Sequence, residues 1–246
     1  MYSFVSMYSF VKKFFEGNFR DDPRENNKTL RLLILFSPIL FLSFAFWLLN
    51  INSEVYYRLF GFEQTGEWVQ AGCYFLAAGF GVKAFTMLNK DISDYRNIKK
   101  IGIAFFILGM LLITLEELSW GQQIFKWESP LLFLEINAQG ETNLHNAYGT
   151  NMHLLFMAIG LYGGLGWIVK KYVKSQISDL FIPDWHFSIF FFQVFLFYFY
   201  YDFIRPVFFI IDNEQELFEF VLAFGFLFFS ISNVSKIKRT LYSHGS

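Results

Sequence analysis

Two adjacent carboxylates, Glu116 and Glu117, close a long apolar run and are followed at once by Ser119, Trp120, Gly121, Gln122 and Gln123. An acid at the centre of a membrane-spanning helix costs roughly 2.5–3.5 kcal/mol, and less near the interface, so this position demands a compensating role. Continued as a helix, the segment puts Glu116, Ser119, Trp120 and Gln123 on one face and turns Glu117 about 100° away. One glutamate would then face a cavity while its neighbour ties down another helix. Downstream, Gln139-Gly140-Glu141-Thr142-Asn143-Leu144-His145-Asn146 gathers groups able to ligate metal or transfer protons, and His153 opens the next apolar run. A glutamate beside a histidine can activate water or a hydroxyl, with or without a divalent metal. In that chemistry Glu116 or Glu117 is base or ligand, His145 is ligand or acid, and Asn143 orients.

Spacing narrows the metal option. On one continuous helix His145 and His153 lie about 12 Å apart along the axis, too far for a shared ion. Glu141 and His145, at i and i+4, share a face, and Glu116 from the preceding apolar run would complete a set of Glu116, Glu141 and His145. Other polar groups fall at the same depth: Glu67 and Gln70, Asp202 and Arg205, then Asp212, Glu214, Glu216 and Glu219. With Trp120, Gln123 and His153, the residues Glu67, Gln70, Asp202 and Arg205 are expected to line a substrate cavity. Two of these carry a structural alternative. Asp202 and Arg205, at i and i+3, pair with each other or with a glutamate more readily than with substrate. A histidine at the start of a span, such as His153, serves equally well as a backbone anchor. Trp127 and Tyr148 read as interface aromatics, whereas Glu116, Glu117 and His145 are functional candidates by default, being ionisable groups at membrane depth.

The elements that must position these groups are six apolar stretches of spanning length: Leu32–Leu49, Trp68–Leu88, Ile101–Leu115, Met152–Val169, Trp185–Tyr201 and Leu217–Asn233. Basic residues alternate between the connections. Lys12, Lys13, Arg20, Arg24, Lys28 and Arg31 precede the first span, and Lys90, Arg96, Lys99 and Lys100 lie between the second and third. Lys170, Lys171 and Lys174 follow the fourth, and Lys236, Lys238 and Arg239 follow the sixth. The intervening connections hold one each, Arg58, Lys126 and Arg205. Because basic residues near span ends resist translocation, both termini are expected in the cytoplasm, and an even number of spans fits that count. The expected fold is therefore all-α: a polytopic bundle of six transmembrane helices, with residues 1–31 as a basic amphipathic arm, 32–233 as the membrane domain and 234–246 as a short basic tail. The natural location is a bacterial inner membrane. The connection from Gly121 to Asn151 is long and partly apolar, with Trp127, Pro130 and Leu131-Leu132-Phe133-Leu134, and is expected to dip back onto the outer membrane surface.

Composition excludes several classes. An apolar share of 54% with 36 Phe exceeds what a water-soluble core absorbs. No clustered basic face suits nucleic acid, and the inner basic residues suit anionic lipid head groups. Cys73 is the only cysteine, which rules out an intrachain disulfide and a thiolate metal site. The N-terminus lacks the order of a cleavable signal, since Lys12 and Lys13 follow its apolar stretch. Small residues mark close helix approach in the second span (Ala71, Gly72, Ala77, Ala78, Gly79, Gly81) and the fourth (Gly160, Gly163, Gly164, Gly166), so both are expected inside the bundle. The Phe-rich fifth span is expected to face lipid or a partner subunit.

The segments Glu116-Glu117-Leu118-Ser119-Trp120-Gly121-Gln122 and Gln139-Gly140-Glu141-Thr142-Asn143-Leu144-His145-Asn146, with Glu67-Trp68-Val69-Gln70, resemble the signature of a family of uncharacterised multi-pass membrane proteins. That resemblance implies a shared polar site on the outer face and supplies no activity. Three functions compete. The first is a hydrolase or transferase acting on a lipid or lipid-linked substrate. The second is a non-catalytic subunit docking a membrane partner, or a second copy of itself, through the aromatic fifth and sixth spans. The third is a cation- or proton-coupled transporter or channel, disfavoured because the inner halves of the spans carry almost no charge besides Lys83.

Overall fold

The computed structural model describes residues 28–60, 65–137, 140–144, 152–173, 175–204 and 214–243. Its elements are helices: α1 Lys28–Ile51, α2 Ser53–Phe60, α3 Thr65–Met87, α4 Arg96–Glu117, α5 Gln122–Phe125, α6 Leu131–Ile136, α7 Met152–Tyr172, α8 Gln176–Phe181, α9 Ser188–Phe199 and α10 Gln215–Ser243. No strand occurs among the described residues. Six helical stretches are long and apolar enough to cross a bilayer, one at each place the apolar runs predict. A helix is the form such runs must take in hydrocarbon, because it satisfies every backbone group within one segment. The one proline inside a span illustrates the rule. Pro38 in α1 cannot donate to the carbonyl of Ile34, and the hydroxyl of Ser37 donates to that carbonyl instead, at 2.8 Å.

From Ile34 onward the helices pack around α10 and α3. Helix α3 lies against α4 and α10, and α9 lies against α7 and α10. Leu217, Val221, Leu222 and Ala223 of α10 are each at most 2% exposed. The Ala-rich face of α3 meets α4 and α10 through Ala77, Ala78, Met110 and Ala223. The second span thus packs closely through Ala71, Ala77 and Ala78, as expected, whereas Gly72 and Gly79 meet nothing and Phe75, Leu76 and Val82 leave its other face exposed.

The fourth and fifth spans exchange roles. On α7, Gly160, Gly163 and Gly164 lie against α9, so close that a Cβ on Gly160 would stand 2.7 Å from the backbone nitrogen of Phe195, and one on Gly163 2.3 Å from the ring of Phe191, while Gly166 meets Ile182. The remaining faces of α7, including Leu154, Leu155, Leu161 and Val169, are exposed. Helix α9 instead buries Phe190, Phe191, Val194, Phe197 and Tyr198 between the α7 glycines and α10. Glycine removes bulk from one face only, and the large rings opposite fill the space; the aromatic helix becomes core and the glycine helix becomes edge.

At the start of α4 and the end of α10 the polar groups form ion pairs. Lys99 donates to Asp91 at 2.9 Å, Ser93 at 3.1 Å and Gln176 at 2.7 Å, while Lys170 and Lys236 meet Asp184 at 2.5 and 2.8 Å. Burial works against ionisation of Asp91, but hydrogen bonds from Lys99 and Ser93 outweigh it and hold the carboxyl below its ordinary range. The opposite ends of the same two helices carry the candidate site.

Candidate functional site

Helix α4 stops at Glu117, and the chain then takes three consecutive residues in left-handed conformation: Ser119 (φ 47°), Trp120 (φ 56°) and Gly121 (φ 94°). The helix expected to continue to Gln123 is broken. Left-handed backbone costs a residue other than glycine about 1–2 kcal/mol, so something must hold Ser119 and Trp120 there. Each is held by a carboxylate. The hydroxyl of fully buried Ser119 donates to Glu141, and the indole of Trp120 donates to Glu116 at 2.6 Å. The second oxygen of Glu116 accepts from the backbone N–H of Leu144 at 2.7 Å. Glu116 therefore fastens the loop, and Glu117, buried on the other side of α4, points into the bundle.

Behind this break the loop is laced by short polar side chains. Asn143, 1% exposed, donates to Glu141 at 2.8 Å and to Ser119 at 3.2 Å. Asn137 donates to the Asn143 side chain at 2.7 Å and to its carbonyl at 2.9 Å. Gln122 reaches Ser129 and accepts from the N–H of Thr142 at 2.8 Å, and Ser129 closes the lattice on the carbonyl of Gly140 at 2.6 Å. This satisfies the polar atoms of a non-helical chain that has been folded inward, which buried backbone requires.

The lattice continues into the helices. Gln123 donates to Glu67 at 2.9 Å, and Gln70 donates to Glu216, to its carbonyl at 3.2 Å and its carboxylate at 3.3 Å. Tyr198 donates to Glu219. Tyr74 on α3 and Glu117 at the end of α4 are buried as well. Four helices, α3, α4, α9 and α10, thus contribute acids, phenols and an amide to one buried layer.

At its rim stands a histidine. His153, on the first turn of α7, has Nδ1 2.8 Å from Oδ1 of Asp202, and its ring lies 4.6 Å from the ring of Tyr198 and 5.4 Å from that of Tyr201. Asp202 is presented by a π-helical turn, Tyr200–Ile204, that follows α9. Such turns insert an extra residue per turn and re-aim a side chain. Both partners are partly exposed, His153 by 37% and Asp202 by 28% of their side chains.

Comparison with known protein families, with curated proteins and with solved structures finds no match. The site must be read from its own geometry.

Of the residues that the sequence singles out, Glu67, Gln70, Glu117, Gln123 and Asn143 sit in the layer, Glu116 and Trp120 clamp the loop above it, and His153 with Asp202 forms the rim. His145 and Arg205 lie outside the described residues, as do Asp212 and Tyr148. Among the described residues no three His, Cys, Asp or Glu side chains gather as a metal ion requires. Glu116 and Glu141 instead serve different partners, the first an indole and a backbone N–H, the second a hydroxyl and an amide. Ser129 and Asn137 look like ordinary loop polarity in the sequence, Tyr74 and Tyr198 are hidden among aromatic neighbours, and none of the four stands out there. The available signal was the depth of Glu219, a full turn inside an apolar helix, which demands a donor from another span.

Proposed function

We propose that this chain is an integral membrane enzyme, a hydrolase or transferase acting on a lipid or lipid-linked substrate at the extracytoplasmic face of a bacterial inner membrane. Both termini are cytoplasmic in this reading, which the alternation of basic residues supports. The observation that carries it is the Asp202–His153 pair at the rim of the polar layer. A carboxylate on Nδ1 holds the imidazole in one orientation and tautomer, so that Nε2 can take a proton from water or a substrate hydroxyl and return it to a leaving group. The π-helical turn beneath Asp202 supports the same reading, since π-turns concentrate at functional sites. Glu116 and Asn143 become positioning residues that hold the loop, while the buried carboxylates and tyrosines of the layer brace the helices that present the pair.

A non-catalytic subunit is the second reading, favoured by the number of carboxylate bonds spent on lacing the loop. Replacing the chromosomal gene by His153→Ala and Asp202→Asn variants and profiling membrane lipids by mass spectrometry separates the two. The enzyme reading expects His153→Ala to reproduce the lipid changes of a deletion at unchanged protein level, with turnover down about 10²–10⁴-fold. A wild-type lipid profile in the His153→Ala strain, with a stoichiometric partner co-purifying, overturns it in favour of the subunit.

A further inference from the structure

The described residues of 122–137 and 140–144 are folded inside out. Their buried members are polar: Asn143 bonds Asn137 and Glu141, and Ser129 bonds Gln122 and the carbonyl of Gly140. Their large apolar members face outward: Phe125 is 71% exposed, Leu131 80% and Leu132 62%, with Ile124, Trp127 and Leu134 exposed beside them. A loop in water does the reverse, because each large side chain left in water forgoes roughly 1.5–3 kcal/mol of burial. A patch of six large apolar residues within an eleven-residue stretch exceeds the scattered exposure a soluble surface tolerates.

The surroundings say what covers it. The patch follows directly on the outward face of α4, where Ile101, Phe105, Leu108, Leu112 and Leu115 are exposed along a helix of spanning length. Only the left-handed turn Ser119–Gly121 separates the two, and Phe125 and Trp127 stack at 5.9 Å over Gly121. The charged residues Lys126, Glu128 and Glu135 lie in or next to the stretch in sequence, Trp127 is one of its members, and Trp120 precedes it. Apolar side chains interspersed with Trp and a few charges match the interfacial zone, where aromatic rings and charged tips lie at head-group level.

We infer that the stretch Ile124–Leu134, between α4 and α7, is an interfacial flap, with Ile124, Phe125, Trp127, Leu131, Leu132 and Leu134 seated in the acyl-chain boundary of the bilayer. The left-handed turn is the device that makes this possible. It turns the chain back at the end of α4, and the Glu141–Asn143–Asn137 lattice supplies internally the hydrogen bonds that lipid cannot. The inference does not depend on the acid–base role of His153.

The test uses the whole protein in phosphatidylcholine vesicles. Cys73 is buried, so a cysteine at Leu132 or Leu134 takes an environment-sensitive fluorophore selectively. Leu108→Cys on α4 serves as the lipid-facing reference. The flap predicts that labels at 132 and 134 are quenched by brominated acyl chains about as strongly as the label at 108, and are hardly quenched by aqueous iodide. Quenching by iodide and not by brominated lipid overturns it. So does shielding from both quenchers, which would mean that a partner protein or a second copy covers the patch.

Discussion

The two ends of this bundle hold their carboxylates with different described partners. At the start of α4 and the end of α10, acids meet cations: Asp91 meets Lys99, and Asp184 meets Lys170 and Lys236. At the far ends of the same helices, the bonds seen among the described residues include neutral donors: Glu141 accepts from a serine and an asparagine, Glu67 and Glu216 from a glutamine each, Glu219 from a tyrosine, Glu116 from an indole. The difference tracks what is being held. The cationic end joins regular helices, α4 to α8 through Lys99 and Gln176, and α10 to the turn before α9 through Lys236 and Asp184. Long flexible cations can bridge the gaps between helix ends. The neutral end holds irregular backbone, and only short, directional donors can satisfy it atom by atom. The rim of that second end also carries the His153–Asp202 pair.

The largest effect should come from breaking the cationic end. Lys99→Met removes the cation and leaves Asp91 buried and deprived of its strongest partner, which typically costs about 3–5 kcal/mol when the remaining charge stays desolvated. Unfolding in mixed micelles, followed by circular dichroism, reads this directly. The same pair sharpens the comparison through pH. Because the folded Asp91 carboxyl lies below its unfolded value, its contribution is complete above the ordinary carboxylate range of about 4 and is lost as pH falls through the folded value. The stability gap between the native chain and Asp91→Asn should therefore be flat from about pH 5 to 8 and close only below about pH 4. A gap that varied across neutral pH would mean that Asp91 is not held ionised by Lys99.

An intermediate effect is expected at the neutral end. Asn143→Ala removes donors to Glu141 and Ser119 and the acceptor for Asn137 in one step. Buried groups stripped of a partner cost about 1–3 kcal/mol each, and partial relaxation should keep the total near 2–3 kcal/mol. The loss should appear first as faster proteolysis between Lys126 and Glu135, with the helices intact by circular dichroism. If global unfolding and loop cleavage shift together, the lattice is part of the bundle core and not a separate support for the loop.

How much of this could be read from the chain alone divides along the same line. The helices were legible because hydrocarbon leaves a chain few options: an apolar run of spanning length must be a helix, and α1, α3, α4, α7, α9 and α10 stand at the expected places. That Glu67, Gln70, Glu216 and Glu219 stand at one depth could be read from their places at the ends of apolar runs. The partners could not. That Ser119 would leave the helix to reach Glu141, or that Tyr198 rather than a cation would meet Glu219, depends on contacts across 22 and 21 residues that no local pattern encodes. The exchange of α7 and α9 fails to show for a similar reason. A glycine stripe says that something comes close, and only packing says whether the helix behind it lies at the centre or the edge.

The smallest effect tests whether the left-handed turn is a cost or a preference. Ser119 sits at φ 47°, where glycine would be relaxed, while its hydroxyl holds Glu141. Ser119→Ala keeps the unfavourable backbone and loses the bond, so it should cost about 1.5–3 kcal/mol, the usual worth of a hydrogen bond to a charged group. Ser119→Gly loses the same bond but recovers about 1–2 kcal/mol of backbone strain, offset in part by the greater freedom of glycine in the unfolded chain. The glycine variant should thus fall within about 1 kcal/mol of the native chain and be clearly more stable than the alanine variant. Equal losses for the two would show that the backbone of Ser119 is not strained and that Glu141 alone sets the turn. A glycine variant as stable as the native chain would show that the serine bond merely offsets the conformation it imposes.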